Sequence, residues 1–310
     1  MPGHAFGQTM DGIRRTIRGM KQLHSLQIQL GDQVILAEAP RGAGLDRPAN
    51  IKSCSKSVVA LLLGTAITHG EIKSVKATLR EVAPRLIPAN ATQGVAAITM
   101  EDLVTLRAGL ESTSRANYGS WVQSGNWVAY VLRRPMVDMP GGRMIYSTGS
   151  SHVLGAAIAT ASGKSLLALA RERLGTPLGI EMPAWQRDPQ GFYFGGNEMT
   201  LTPRAMLRLA VMLRDRGRFN GTQVIAPDWI AASLTPRTVS PFSGLGYGYG
   251  WFLSESGFAI ARGYGGQIIA AHPARKLAVA ITSDPNQPAR SEGYFGELMA
   301  LLEGPVLALA

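Results

Sequence analysis

The chain has 310 residues, enough for one large domain or two lobes around a sizeable core. Its 45% hydrophobic and 17% charged residues are typical of a globular protein, and no stretch reaches the roughly 18 apolar residues of a membrane-spanning helix. The net charge is +10, but the basic residues are scattered and no known nucleic-acid-binding module occurs, which argues against a nucleic-acid binder.

The single cysteine, Cys54, excludes an intrachain disulfide and a thiolate metal site. Residues 1–6 lack the basic start and apolar middle of a signal peptide. The expected compartment is therefore the cytoplasm, or the periplasm or exterior if a signal peptide has been removed. The sequence does not decide between these compartments, and it leaves the oligomeric state open.

The N-terminal part predicts a helix and a hairpin. Ile13, Ile17 and Met20 share one face of a helix opposite several arginines, and we expect this face to pack on the domain. A membrane-surface helix is the alternative, but three apolar residues make a weak anchor. Alternating runs over 23–30 and 33–38 flank Gly31-Asp32, which is the pattern of a β-hairpin.

The stretch Asn50-Ile-Lys-Ser-Cys-Ser-Lys56 opens an apolar run of helical length. Ser53 and Lys56 are three residues apart, so they share a face of the first helical turn. A lysine that is partly desolvated can lose its proton near neutral pH and act as base toward the serine. A Ser-x-x-Lys pair alone also fits a capped surface helix. Cys54 is predicted to be a small buried residue and not the nucleophile.

Residues 71–196 are predicted to be mostly helical, with many loops. Thr99 caps a helix that should run to Gly109, and further helices are expected over 121–134, 149–162 and 165–174. His152 falls on one of these helices and is predicted to be a structural histidine.

Two loop stretches carry further candidate groups. Tyr146 precedes a glycine-led helix, and its phenol can donate a proton or, beside a cation such as Lys56, act as base. The alternative is a structural tyrosine that bonds a backbone carbonyl. In Tyr264-Gly265-Gly266-Gln267, the two glycines allow a substrate acyl group to approach, and the N–H groups of Gln267 and Ser53 would hold an oxyanion. A sheet bend is the alternative there.

The last third predicts a helix from Thr202-Pro203 to Arg216, a turn at Asn220-Gly221, a short helix from Pro227, and a closing helix over 295–302. Strands are expected over 247–253, 258–262, 267–271 and 277–282. Strands at both ends with helices between them indicate an α+β fold. The predicted units are a sheet lobe (20–60 plus 200–310), a mostly helical lobe (61–199) and an N-terminal extension (1–19).

Together these motifs resemble those of the penicillin-recognising serine hydrolases, in the branch of class C β-lactamases, D-alanyl-D-alanine carboxypeptidases, esterases and 6-aminohexanoate-dimer hydrolases. Ser53-Cys-Ser-Lys56 is similar to the family's first motif, Tyr146-Ser-Thr148 lies where it has Tyr-x-Asn, and Tyr264-Gly-Gly266 lies where it has Lys-Thr-Gly or His/Trp-x-Gly. The resemblance covers residues 20–300 and implies a β-lactamase/transpeptidase-like fold.

The resemblance implies an acyl-enzyme at Ser53, with Lys56 and Tyr146 as the acid–base pair and Thr148, Tyr264, Gly265 and Gly266 in substrate binding. Thr148 and Tyr264 depart from the family pattern. Tyr264 stands where the family has the Lys or His that binds a substrate carboxylate, so this cation is missing here. We therefore expect a small-molecule ester or amide as substrate, without metal or cofactor. A β-lactamase, a D-Ala-D-Ala carboxypeptidase and a penicillin-binding sensor without turnover are the alternatives.

Overall fold

A computed structural model describes residues 2–310 of the chain, with side chains from Phe6 onward. The α-helices are α1 (Pro2–Gly19), α2 (Ser55–Thr68), α3 (Leu79–Val82), α4 (Met100–Val104), α5 (Tyr118–Val122), α6 (Trp127–Leu132), α7 (Thr148–Ser162), α8 (Leu166–Ala170), α9 (Thr176–Leu178), α10 (Pro203–Arg214), α11 (Pro227–Ser233) and α12 (Tyr294–Leu301). The strands are β1 (Leu23–Leu30), β2 (Gln33–Glu38), β3 (Ala49–Asn50), β4 (Thr200–Leu201), β5 (Arg218–Phe219), β6 (Thr222–Gln223), β7 (Thr238–Val239), β8 (Gly246–Tyr247), β9 (Phe252–Leu253), β10 (Ala259–Arg262), β11 (Ile268–His272) and β12 (Leu277–Ser283).

The main sheet is antiparallel and has eight strands in the order β2-β1-β12-β11-β10-β9-β8-β7. Strand β1 lies between its hairpin partner β2 and the late strand β12, with Leu26 opposite Ile281. The N-terminal and C-terminal parts of the chain therefore form one sheet, and the predicted α+β class is confirmed.

Each face of the sheet buries a separate apolar cluster. On one face, Ile13 and Ile17 of α1 and Phe295 of α12 pack with Leu26 and Ile28 of β1. On the other face, α10 crosses β12, β11 and β1, and the apolar helix α2 is buried along almost its whole length. The amphipathic N-terminal helix thus packs on the domain, as its sequence pattern predicts.

The helices α3–α9 lie between two short strands that pair with each other. Strand β3 leads into the Ser53 turn, and β4 follows the loop that ends at Met199; their pairing sets Asn50 opposite Thr200. This two-residue ladder brings together the entry to and the exit from the helical region. The division into lobes stays a prediction.

Several predicted elements are shorter or more broken than their sequences suggest. The expected strand over 247–253 is split into β8 and β9 by a turn in which Gly250 has φ +80°. The helix expected over 121–134 is interrupted, because the Asn126 side chain caps a new helix, α6. The helix from Thr99 ends at Val104, since Leu106 adopts φ +58°. The helix expected to end at Gly175 continues through a π-helical turn to Leu178.

Over residues 2–310, no single helix combines the length and apolar character needed to cross a membrane. One bent pair, α7 with the helical segment Leu166–Leu178, meets those criteria of length and composition at an angle of 81°. No group of three or more His, Cys, Asp or Glu side chains in the described chain is arranged to hold a metal ion.

Candidate active site

Ser53 lies in a single 3₁₀ turn, Lys52–Cys54, that directly precedes α2. The preceding Lys52 has φ +49°, a left-handed conformation that is costly for a residue with a side chain. The Asn50 side chain stabilises this turn, because its Oδ1 accepts the Lys52 N–H at 2.8 Å and its Nδ2 donates to Glu198 at 2.7 Å. The Lys52 ammonium also pairs with Glu198, at 3.1 Å. The sharp turn presents Ser53 at the N-terminal end of the buried helix.

Lys56 projects from the first turn of α2 and is only 5% exposed. Its Nζ donates to three oxygens, Ser53 Oγ at 3.1 Å, Thr148 Oγ1 at 3.2 Å and the carbonyl of Gly196 at 2.8 Å. The Ser–Lys spacing therefore produces the expected contact, and the ammonium lies among oxygen acceptors and not in water.

Burial lowers the pKa of the Lys56 ammonium below the usual range of a lysine, because the charged form loses its hydration. Interaction with Tyr146 opposes this shift. The ring of Tyr146 lies under the amine, with its centroid 5.0 Å from Nζ. A lysine in this environment can be neutral at a pH where an exposed lysine is charged, as a general base requires.

Thr148 is the first residue of α7, and it joins Lys56 to a row of hydroxyl groups. Its Oγ1 lies 3.1 Å from Ser114 Oγ, which also accepts the Thr148 N–H at 3.0 Å. Next to it, Ser112 donates to the carbonyl of Tyr146 at 2.7 Å and positions the loop that carries this tyrosine. The structure thus places Thr148, predicted from the resemblance to bind substrate, in direct contact with Lys56.

The backbone of Gln267 lies beside the Ser53 turn. The Cys54 thiol donates to the Gln267 carbonyl at 3.4 Å, and Gly263 leaves no space for a side chain because the Ile51 carbonyl is adjacent. Over residues 2–310, neither the Ser53 N–H nor the Gln267 N–H donates a hydrogen bond to the protein. Two adjacent segments therefore each supply a backbone N–H without a protein acceptor, which is the requirement for an oxyanion site.

The Tyr264–Gly266 stretch forms the turn between β10 and β11. Tyr264 is 56% exposed. A side chain at Gly265 would overlap the Asp284 carbonyl, and Gly266 has φ +93° with the Tyr294 ring against it. Packing and turn geometry therefore account for both glycines. The Cys54 thiol is fully buried, as predicted, and burial raises its pKa, which favours the protonated form.

Two arginines are candidates to replace the missing carboxylate-binding cation. Arg262 donates to Ser291 Oγ and to the Ala289 carbonyl, and its guanidinium stacks on the Phe295 ring at 3.6 Å. Burial lowers its pKa to about 10. Arg143 is largely exposed and pairs with Asp138. Both side chains are thus engaged by other groups of the protein.

The sequence marks 183–196 only as an irregular, glycine-rich stretch that can line a cleft, and it does not identify Gly196 or Glu198 as part of this site. The Gly196 carbonyl forms the shortest contact of Lys56, and Glu198 anchors the Ser53 turn. A backbone oxygen leaves no side-chain signature. The usable signal was the Gly195-Gly196 pair, since adjacent glycines often mark a close approach of two backbone segments.

Comparison with known proteins supports the relationship suggested by the motifs. The sequence model of the family described as Beta-lactamase matches residues 25–302. No curated protein sequence matches the chain.

Solved structures with the same fold include three at low sequence identity. A Bacillus anthracis protein, provisionally assigned as a 6-aminohexanoate-dimer hydrolase, has a TM-score of 0.79 and 17% identity, covering 96% of this chain and 80% of its own. EstCE1, a hydrolase with promiscuous acyltransferase activity, has a TM-score of 0.79 and 17% identity, and the match covers 98% of this chain and 99% of EstCE1. The octameric penicillin-binding protein homologue from Pyrococcus abyssi has a TM-score of 0.73 and 19% identity, and the match covers 96% of this chain and 77% of the homologue. At these identities the likeness establishes the fold.

Proposed function

Because the chain belongs to the Beta-lactamase family, whose members are generally hydrolytic serine enzymes, we propose that it cleaves esters or amides through an acyl-enzyme at Ser53. The observation that carries the proposal is the contact between a buried lysine and a serine hydroxyl, Lys56 Nζ to Ser53 Oγ at 3.1 Å. A lysine whose pKa is lowered by burial is suited to remove the serine proton.

In the acylation step, Ser53 Oγ attacks the substrate carbonyl carbon while its proton passes to neutral Lys56. The tetrahedral intermediate then breaks its bond to the alcohol or amine, and this leaving group takes a proton from the Lys56–Tyr146 pair. Water attacks the ester of Ser53 in the second step and releases the acid. The same pair serves as base for the water, since acylation and deacylation mirror each other.

The negative oxygen of each tetrahedral intermediate would accept from the N–H groups of Ser53 and Gln267. Both N–H groups lack a protein acceptor within residues 2–310, and the contact from Cys54 to Gln267 holds the two segments together. Preorganised donors of this kind contribute about 3–4 kcal/mol to transition-state stabilisation in other hydrolases.

The charges around the site favour a neutral ester or amide over a substrate with a carboxylate beside the scissile bond. Tyr264 supplies no cation, Arg262 is occupied by the Ala289 carbonyl and Ser291, and Lys52 is neutralised by Glu198. A carboxylate brought next to Ser53 would lose water without gaining a partner, which is costly. We therefore propose a carboxylesterase or an oligomer hydrolase like the 6-aminohexanoate enzymes.

The test is a burst assay with p-nitrophenyl acetate, followed by mass spectrometry of the intact protein. We expect a transient acetyl adduct on Ser53, and a loss of activity of at least about a thousandfold in Ser53→Ala. Ser57→Ala is the matched control, because Ser57 lies four residues after Ser53, in the first turn of α2, but donates to the Gly250 carbonyl. Undiminished turnover in Ser53→Ala would disprove the assignment.

The same measurement separates an enzyme from a sensor. An adduct that decays as product accumulates supports turnover, and one that persists supports a binder that stops after acylation. Parallel rates with short-chain esters, 6-aminohexanoate oligomers and nitrocefin then identify the substrate class. Faster acylation by nitrocefin than by the esters would contradict the proposed preference for neutral substrates.

A further inference from the structure

His152 lies on α7, one helical turn after Thr148, in the middle of the helical region. It is fully buried, and its ring is surrounded edge-on by Trp121, Trp127 and Phe194, with centroids 5.4–6.0 Å away. These rings keep water from the imidazole. The ionisable group in contact with it is the Asp188 carboxylate, at 2.9 Å from Nε2.

The hydrogen bonds of His152 determine where its proton lies. Nδ1 lies 3.2 Å from the backbone N–H of Gly195, so it must be the unprotonated acceptor. The imidazole proton is therefore on Nε2, where it is donated to Asp188 Oδ2. The other carboxylate oxygen, Oδ1, accepts the N–H groups of Gln190 and Phe192, both at 2.9 Å. The pair is thus fully satisfied in one orientation.

Gly195, which donates its N–H to His152, directly precedes Gly196, whose carbonyl accepts from Lys56. Gly195 and Gly196 lie directly on the first turn of α7, where a Cβ at Gly196 would be 2.9 Å from the Ser151 Cβ and 3.2 Å from the Thr148 carbonyl. The Gly196 carbonyl then meets Lys56 Nζ at 2.8 Å. A continuous set of contacts therefore leads from Asp188 through His152 and this backbone to the lysine.

We propose that His152 and Asp188 are positioning residues that hold the Gly196 carbonyl against Lys56 and thereby direct the amine toward Ser53. A carbonyl oxygen only accepts, so it must take an N–H of the lysine. A neutral amine with one N–H on Gly196 and the other on Thr148 points its lone pair at the Ser53 hydroxyl. This inference rests on the proposed function, because it gives a role to the base of that reaction.

Asp188→Asn tests the inference without a change next to the lysine. The introduced amide must keep its oxygen on the Gln190 and Phe192 N–H groups, so its NH₂ faces His152 Nε2. The imidazole then accepts at Nε2 and carries its proton on Nδ1, where it opposes the Gly195 N–H. The bond to Gly195 is lost, although every residue in contact with Lys56 is unchanged.

We expect three results from this variant. The ¹⁵N spectrum of His152 changes from an Nε2-protonated to an Nδ1-protonated tautomer. The value of kcat falls about tenfold, as for the loss of one hydrogen bond to a charged group, while KM stays within about twofold. The rising limb of the pH–rate profile moves about one unit to lower pH, because the displaced Gly196 carbonyl no longer accepts from the Lys56 ammonium. The other ionisable neighbours of Lys56, Tyr146 and Cys54, are unchanged.

Two further substitutions separate the roles of the two nitrogens. His152→Asn keeps an acceptor near the position of Nδ1, and His152→Gln keeps a donor near the position of Nε2. Positioning through Gly195 predicts that the first retains more of kcat than the second. Gln190→Ala is the matched control, since it frees the tip of the same loop from the Gly125 carbonyl and leaves His152 untouched. It should lower stability without moving the pH–rate profile.

The native protein gives a test even if the variants do not fold. An Nδ1-protonated or doubly protonated His152 in its ¹⁵N spectrum at neutral pH would overturn the inference. A folded Asp188→Asn variant with the wild-type pH–rate profile would overturn it as well. If the proposed function itself is wrong, the wild-type protein shows no activity dependent on Ser53, which is a different result from either of these.

Discussion

Replacing Thr148 with valine removes one of the three acceptors of Lys56 and preserves the shape of the side chain. The lost contact, from Nζ to Oγ1, is 3.2 Å long, whereas those to Ser53 and Gly196 are 3.1 and 2.8 Å. Valine also removes the contact between Thr148 Oγ1 and Ser114 Oγ, but the Thr148 N–H keeps its bond to Ser114, so the start of α7 should stay in place. The change therefore acts on the lysine and not on the fold.

The size of the effect follows from the charge on the donor. A hydrogen bond to a charged group contributes about 1.5–3 kcal/mol, and the longest of three bonds belongs at the lower end. This acceptor stabilises the ammonium more than the amine, so its loss lowers the pKa of Lys56 further, by about one unit at 1.36 kcal/mol per unit. Activity requires the neutral amine. The rising limb of the pH–rate profile should therefore move about one unit to lower pH.

The measurement is kcat/KM for p-nitrophenyl acetate across the pH range, with Ser53→Ala as the blank for uncatalysed hydrolysis. On the plateau, the rate should fall up to about tenfold, because the amine loses one of the bonds that orient it. Thr148→Ser is the matched control, since it keeps the hydroxyl and its pH–rate profile should rise at the same pH as that of the wild type. A limb that stays in place or moves to higher pH in Thr148→Val would refute this account of Lys56.

Two predictions concern stability and reactivity. Gly64→Ala should lower the free energy of unfolding by about 1–2 kcal/mol in urea melts followed by circular dichroism, because overlap of the new methyl with the Trp229 ring outweighs the better helix propensity of alanine. A variant at least as stable as wild type would show that this contact relaxes freely. Cys54 should react with Ellman's reagent only after unfolding, because burial raises its pKa; stoichiometric labelling of the native protein would contradict its burial.

Elements with strong local signals were predictable from the sequence. Thr99 and Thr202 both cap helices, and Gly31-Asp32 forms the turn of the first hairpin. Their end positions depend on the rest of the molecule. The run from Gly246 to Leu253 alternates like one strand, but its glycines allow the chain to turn back on itself between β8 and β9. Local propensity cannot distinguish one long strand from two short strands joined by a turn, because both fit the same alternation of residues.

The side chains around Lys56 were predictable for a similar reason. Ser53 lies three residues before Lys56, where the chain enters α2, and the family motifs indicated Tyr146 and Thr148 as neighbours. The Gly196 carbonyl could not be predicted, because its place depends on a loop held by His152 from a different element. His152 is a structural histidine as predicted, yet its sequence pattern gives no sign of what it supports.

The position of β1 in the sheet has a consequence for how the chain acquires its structure. Leu30 is paired with Leu277, so the interior strand of the sheet lacks one neighbour until nearly all of the chain has been synthesised. Until then, Leu26 and Ile28 have no C-terminal helix to cover them. Such long-range pairing is slow to form and leaves apolar strand edges open to other chains. The protein should therefore refold slowly and depend on low concentration or a chaperone.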